Sequence, residues 1–130
     1  MKDGWTITHD PLRLEFGGVR GRADLGAVRL LAAERGVERI AVEVKSFLGP
    51  SPVADFEQAL GQFNLYHVLL KRTDPHRTLF LAVDQGTHGN LFAREGIRAV
   101  VAEFRVAVLV VNISTETVSA WVPPPATANS

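Results

Sequence analysis

Glu43 and Lys45 stand two residues apart in Ile40-Ala41-Val42-Glu43-Val44-Lys45, where Ile40, Val42 and Val44 alternate with the rest. In an extended strand that spacing sends Glu43 and Lys45 to one face. A charged pair on an otherwise apolar strand is costly to bury without partners. Asp24, near the end of the preceding predicted strand, is the natural third member. Two carboxylates on adjacent strand ends can share a hard cation, Mg²⁺ or Mn²⁺, leaving positions for water and a substrate phosphate. Such a cation polarises a phosphodiester, as in DNA, and lowers the pKa of a bound water. Lys45 would orient or deprotonate that water, or stabilise developing negative charge. The backbone oxygen of Val44 lies between the two side chains, so the candidate metal ligands are Asp24, Glu43 and Val44. The bland alternative is a solvated Glu43–Lys45 surface pair, since Glu-x-Lys recurs by chance.

A second group follows. Gln58, Gln62 and Tyr66 are spaced by four, which lines them along one flank of a helix. Gln62 could hydrogen-bond a nucleophilic water or a phosphate, making it the fourth catalytic candidate after Asp24, Glu43 and Lys45. Gln58 and Tyr66 are candidates for substrate binding, Tyr66 by holding a phosphate or stacking a base. The alternative is a polar flank beside a buried stripe. Elsewhere the chemistry is thinner. His9, His67, His76 and His88 have no metal-ligand spacing, and Ser46 has no positioned histidine to act as its base. Gly86 and Gly89 belong to no P-loop or dinucleotide fingerprint, which excludes ATP and NAD sites of those kinds.

These side chains need a scaffold. Trp5–His9 and Leu12–Phe16 both alternate around Asp10-Pro11 and predict a hairpin. Val19–Leu25 predicts a short third strand. Residues 26–35 carry strong helix formers ended by Gly36, which predicts a helix. Arg39–Lys45 is a strand. Ser51 then stands at an N-cap with Pro52 at the first helical position. Val53, Phe56, Leu60, Phe63 and Leu70 give the following helix one apolar stripe, and Asp74-Pro75 closes it. Arg77–Val83 and Ala107–Asn112 read as buried strands, Gly89–Phe104 as one helix or two around Gly96, and Val118–Val122 as an edge strand. The order predicts an α/β fold, a mixed sheet flanked by helices, with residues 1–122 as one domain and 123–130 as a flexible proline-rich tail.

Composition narrows the partners. Fourteen Lys and Arg balance fourteen Asp and Glu, so no excess of cations supports a strong, non-specific grip on DNA. Cysteine is absent, which excludes disulfides and thiolate zinc. No signal peptide opens the chain, and the longest strongly apolar run, Val106–Val111, falls far short of a membrane span of about twenty residues. The expectation is a cytoplasmic protein with no membrane partner.

Asp24, Glu43-Val44-Lys45 and Gln62-Phe63-Asn64-Leu65-Tyr66 together resemble the PD-(D/E)xK nuclease superfamily, including the Gln-x-x-x-Tyr motif of some branches. More narrowly the chain is similar to the XisH family of element-excision controlling factors. Lys2–Leu12, Asp24–Ala27, Leu30–Glu34, Ile40–Phe47 and Ala59–Gln62 carry that likeness. The resemblance implies a restriction-endonuclease-like core, a DNA endonuclease-like role in site-specific excision of a DNA element, and a partner protein of XisI type. It implies equally a control module that keeps the nuclease fold without the chemistry. It also implies a helix ahead of Lys2-Asp3-Gly4-Trp5. Without that helix an apolar face of the sheet is left uncovered, which favours a homo-oligomer or a bound partner.

Overall fold

The computed structural model describes residues 4–21, 28–112, 115 and 117–122. Its strands are β1 (Thr6–His9), β2 (Glu15–Phe16), β3 (Val19–Arg20), β4 (Val28–Arg35), β5 (Glu38–Lys45), β6 (Thr78–Asp84), β7 (Val108–Asn112) and β8 (Thr117–Val122). Its helices are α1 (Pro52–Thr73), α2 (Gln85–Asn90) and α3 (Glu95–Glu103), with a 3-10 turn at Leu91–Ala93. One six-stranded sheet runs β1-β4-β5-β6-β7-β8, and β2 pairs only with β3. The central pairs β5–β6 and β6–β7 are parallel, and the outer pairs are antiparallel. α1 is therefore the crossover that returns the chain from β5 to the same end of β6.

The buried residues of α1, the 3-10 turn and α3 all belong to one core cluster, shared with Leu30, Ala41, Leu79, Leu81 and Val108 of the sheet. The described helices thus pack on one face of a mixed α/β sheet. The opposite face holds a second cluster of Trp5, Leu31, Ala33, Ile40, Val42, Ala82 and Leu109. These seven are buried among the described residues, and no residue of a described helix belongs to their cluster.

Two expectations need correction. Residues 28–35 form strand β4, not a helix. The segment buries Leu30 against the helix layer and Leu31 and Ala33 in the opposite cluster, as a two-sided central strand does. Full pairing with β5, from Val28↔Lys45 to Arg35↔Glu38, outweighs the helix propensity of Leu, Ala, Glu and Arg. Gly36, read as a helix stop, is instead the positive-φ residue (+60°) that opens the two-residue hairpin turn from β4 to β5. The second correction is the first hairpin. Trp5–His9 pairs with β4, and Leu12–Phe16 does not return along it. Leu14 instead joins the helix-side core while Trp5 joins the other cluster, so the chain passes from one face of the sheet to the other.

The later elements agree with the sequence reading within a residue or two, except that α2 already begins at Gln85 and the helix break falls at Arg94 rather than Gly96. Within the described residues the third strand covers only Val19–Arg20, and both residues 22–27 and the tail 123–130 lie outside them. No helix among the described residues is long and apolar enough to cross a membrane. α1 starts where Ser51 and Pro52 place it: Ser51 Oγ accepts from the Ala54 N–H at 3.2 Å. Ser51→Ala should cost about 1 kcal/mol in urea denaturation, the usual worth of an N-cap hydroxyl.

Candidate functional site

β5 alternates as its sequence does. Ile40 and Val42 enter the sheet's outer cluster with Val44 packed against it, and Ala41 enters the helix-side core. Glu43 and Lys45 share Ala41's parity and so face α1. In register, Glu43 is flanked by Leu30 on β4 and Leu81 on β6, both members of the helix-side core. Its carboxylate is 0% exposed, and neither oxygen has a hydrogen-bond partner among the described residues. Burial pushes its pKa up to about 8, and the Lys45 charge pulls it back only in part. Removing a carboxylate from water without partners disfavours its ionised form.

Lys45 is 5% exposed, and its Nζ donates to Gln58 Oε1 at 3.2 Å. One turn further along α1, Gln62 Oε1 is buried with no partner among the described residues. The helix therefore brings two glutamines onto the flank that meets the Glu43–Lys45 face. The line drawn through Gln58, Gln62 and Tyr66 divides at its far end. Tyr66 is 1% exposed and lies in the core, where a Cβ on Gly21 would sit 2.8 Å from its ring. Its ring packs beside the chain that leads towards Asp24 and offers no open stacking face. Val44 turns its side chain to the opposite cluster while its backbone pairs in register with Arg29 and Ala82.

Asp24 lies outside the described residues. Among those residues, no group of three or more His, Asp or Glu side chains is placed to hold a metal ion. The oxygen donors present are the two of Glu43 and the amide oxygen of Gln62, all buried and unpartnered. Unpartnered oxygen donors suit a hard cation such as Mg²⁺ or Mn²⁺, which would displace the proton that burial keeps on Glu43. Composition and spacing did not single out the cleft that begins at Ser46, the residue after Lys45. It has a volume of about 430 Å³ and is lined by Ser46, Leu48, Pro52, Asp84, Thr87 and Arg94, among others. Asp84 was legible in principle as an N-cap, because its carboxylate accepts from the Gly86 and Thr87 N–H groups at the start of α2.

A family model described as XisH protein matches residues 1–119. The crystal structure of an XisH family protein from Nostoc punctiforme is similar at a TM-score of 0.84 and 43% identity, covering 93% of this chain and 90% of that one. A fdxN element excision controlling factor protein from Anabaena variabilis is similar at 0.83 and 41%, covering 93% and 89%. No curated protein matches the chain.

Proposed function

The chain belongs to the XisH family, and from that premise we propose that it is a Mg²⁺- or Mn²⁺-dependent, DNA endonuclease-like protein serving excision of a DNA element. The reading includes a restriction-endonuclease-like PD-(D/E)xK core and a cytoplasmic location. The observation that carries it is the Glu43 carboxyl, buried with neither oxygen partnered among the described residues, two positions from a lysine held by Gln58. A buried polar group without a hydrogen bond is rare and calls for an explanation. A cation at Glu43 supplies that explanation, and it supplies the charge that polarises a phosphodiester and acidifies water. Glu43 and Gln62, with Asp24 and the Val44 backbone oxygen, would hold it. Lys45 gives one N–H to Gln58 and keeps two for a water or a phosphate oxygen. The cleft lined by Ser46, Asp84 and Arg94 begins at the residue after Lys45 and is where the strand would lie.

The second reading is a control module that keeps the fold without cutting and acts through a protein of XisI type. The zero net charge favours it. Calorimetric titration of Mn²⁺ and Mg²⁺ separates the two. The nuclease reading expects saturable binding, abolished by Glu43→Gln and Asp24→Asn, and loss of DNA nicking in Lys45→Ala. A folded wild type that takes up neither ion overturns it in favour of the control module.

A further inference from the structure

A second cleft, of about 390 Å³, lies at the other end of α1, between that helix and the turn that joins α3 to β7. Its lining includes Asn64, His67, Lys71, Thr78, Phe104 and Arg105, and no carboxylate among the described residues. In a chain of zero net charge, several arginines on the described surface are spent on acidic partners: Arg20 on Glu15, Arg29 on Asp10, Arg35 on Glu38. Lys71 and Arg105 have no ion pair among the described residues, yet both line this one cleft. The Lys71 charge reaches far enough to add to burial in holding the His67 imidazole below its usual pKa.

Arg105 carries a further mark. It adopts φ +52°, and it is the one non-glycine with positive φ among the described residues. It caps α3 in the position where glycine is favoured, with the Arg105 and Val106 N–H groups bonded back to Ala102 and Val101. A long side chain kept in a backbone state that disfavours it points to use of that side chain. Beside it Phe104 is 52% exposed, a large ring left open at the rim of a basic cleft.

We propose that this cleft binds an unpaired nucleotide, with its phosphate held by Lys71 and Arg105 and its base laid against the Phe104 ring. Only an unstacked base can present its face to an aromatic side chain, so the ligand is single-stranded or locally opened nucleic acid, not intact duplex. Lys71 lies about 20 Å along α1 from Gln58 at ~1.5 Å per residue, so a phosphate held here is gripped several nucleotides from Lys45. The proposal deepens the DNA reading above and rests on it for the class of ligand.

The test is fluorescence anisotropy of a short fluorescein-labelled oligothymidylate at low salt, in EDTA so that no cation site contributes. Wild-type protein should bind it more tightly than a blunt duplex of the same length. Lys71→Ala and Arg105→Gly should each weaken binding about five- to tenfold and lower the salt slope by about one. Phe104→Ala should weaken it about tenfold. Arg98→Ala, an exposed cation outside the cleft, should change nothing. Arg105→Gly separates binding from folding, because glycine suits φ +52° and its Tm should equal or exceed the wild type's. Displacement by thymidine monophosphate with equal affinity would place a free nucleotide in the cleft; a tighter oligonucleotide places a strand there. Absence of oligothymidylate and nucleotide binding overturns the proposal, and so does an Arg98→Ala loss as large as those of the cleft variants. Either result leaves the calorimetric test at Glu43 standing on its own.

Discussion

In the absence of metal, Glu43 is expected to remove about 3–5 kcal/mol of folding stability as the pH rises from 4.5 to 8, and Glu43→Gln to abolish that loss. In the unfolded chain the carboxyl titrates near 4.5, and in the folded protein burial holds it near 8. Between those values the unfolded state ionises while the folded state keeps its proton. Stability from this group is therefore complete below the lower value, is lost as the pH rises to the upper one, and is level above it. Each unit of separation is worth about 1.4 kcal/mol. His67 works the other way: its pKa is lowered by burial and by Lys71, so its neutral folded form loses stability as the pH falls below 6.5. The difference between wild type and Glu43→Gln isolates the carboxyl. Urea denaturation in EDTA across this range should show two diverging curves, with the glutamine variant the more stable at pH 8. Added Mg²⁺ should raise the wild type at pH 8 and leave Glu43→Gln unmoved. Parallel curves would mean that Glu43 is solvated, and the case for a cation there would fall with them.

Arg77→Met should cost about 2–3 kcal/mol, the usual worth of hydrogen bonds from a buried charged donor. The Arg77 side chain is 4% exposed, and each of its three guanidinium nitrogens donates a hydrogen bond. Nε donates to Asp74 Oδ2 at 3.1 Å, Nη1 to the Ile40 carbonyl at 3.0 Å and Nη2 to Glu34 Oε2 at 3.3 Å. One side chain thereby ties the end of α1 to the backbone of β5 and to the side chain of β4. Methionine keeps much of the volume but leaves the Ile40 carbonyl without this donor and Asp74 and Glu34 with Arg39 alone. Arg39 bonds the same Asp74 and approaches the same Glu34, but its side chain is 40% exposed. Solvent screens it, so Arg39→Ala should cost no more than about 1 kcal/mol. Equal losses at the two positions in urea denaturation would show that the network is a surface feature and not an anchor.

Most of the candidate site was legible because it depends on local geometry. The two-residue period of Ile40–Lys45 put Glu43 and Lys45 on one face, and Ser51-Pro52 began the helix that carries Gln58 and Gln62 past them. What the spacing could not show is which face is wet. Glu43 and Lys45 read equally as a solvated pair, and only packing against α1 leaves Glu43 with no exposure. Tyr66 shows the same gap from the other side. Its spacing from Gln62 suggested a polar line, whereas the helix turns the ring under Gly21 and into the core. Asp84 and Arg94 escaped notice because the cleft they line joins segments that are distant in the chain.

The sequence by itself determined the elements whose cause lies within a few residues: α1 between its serine cap and Asp74, the buried runs of β6 and β7, and the shared face of Glu43 and Lys45. Tertiary structure decided the elements whose cause lies far along the chain. Val28–Arg35 has the composition of a helix and becomes a strand because β5 and β1 pair with its two edges and both of its faces are buried. Leu12–Phe16 has the alternation of a hairpin arm and crosses the sheet instead, because Leu14 finds its apolar neighbours beneath α1. Propensity differences amount to a few tenths of a kcal/mol per residue, and burial of one leucine is worth about 1.5–3 kcal/mol, so distant partners override local preference wherever a segment is apolar on both faces.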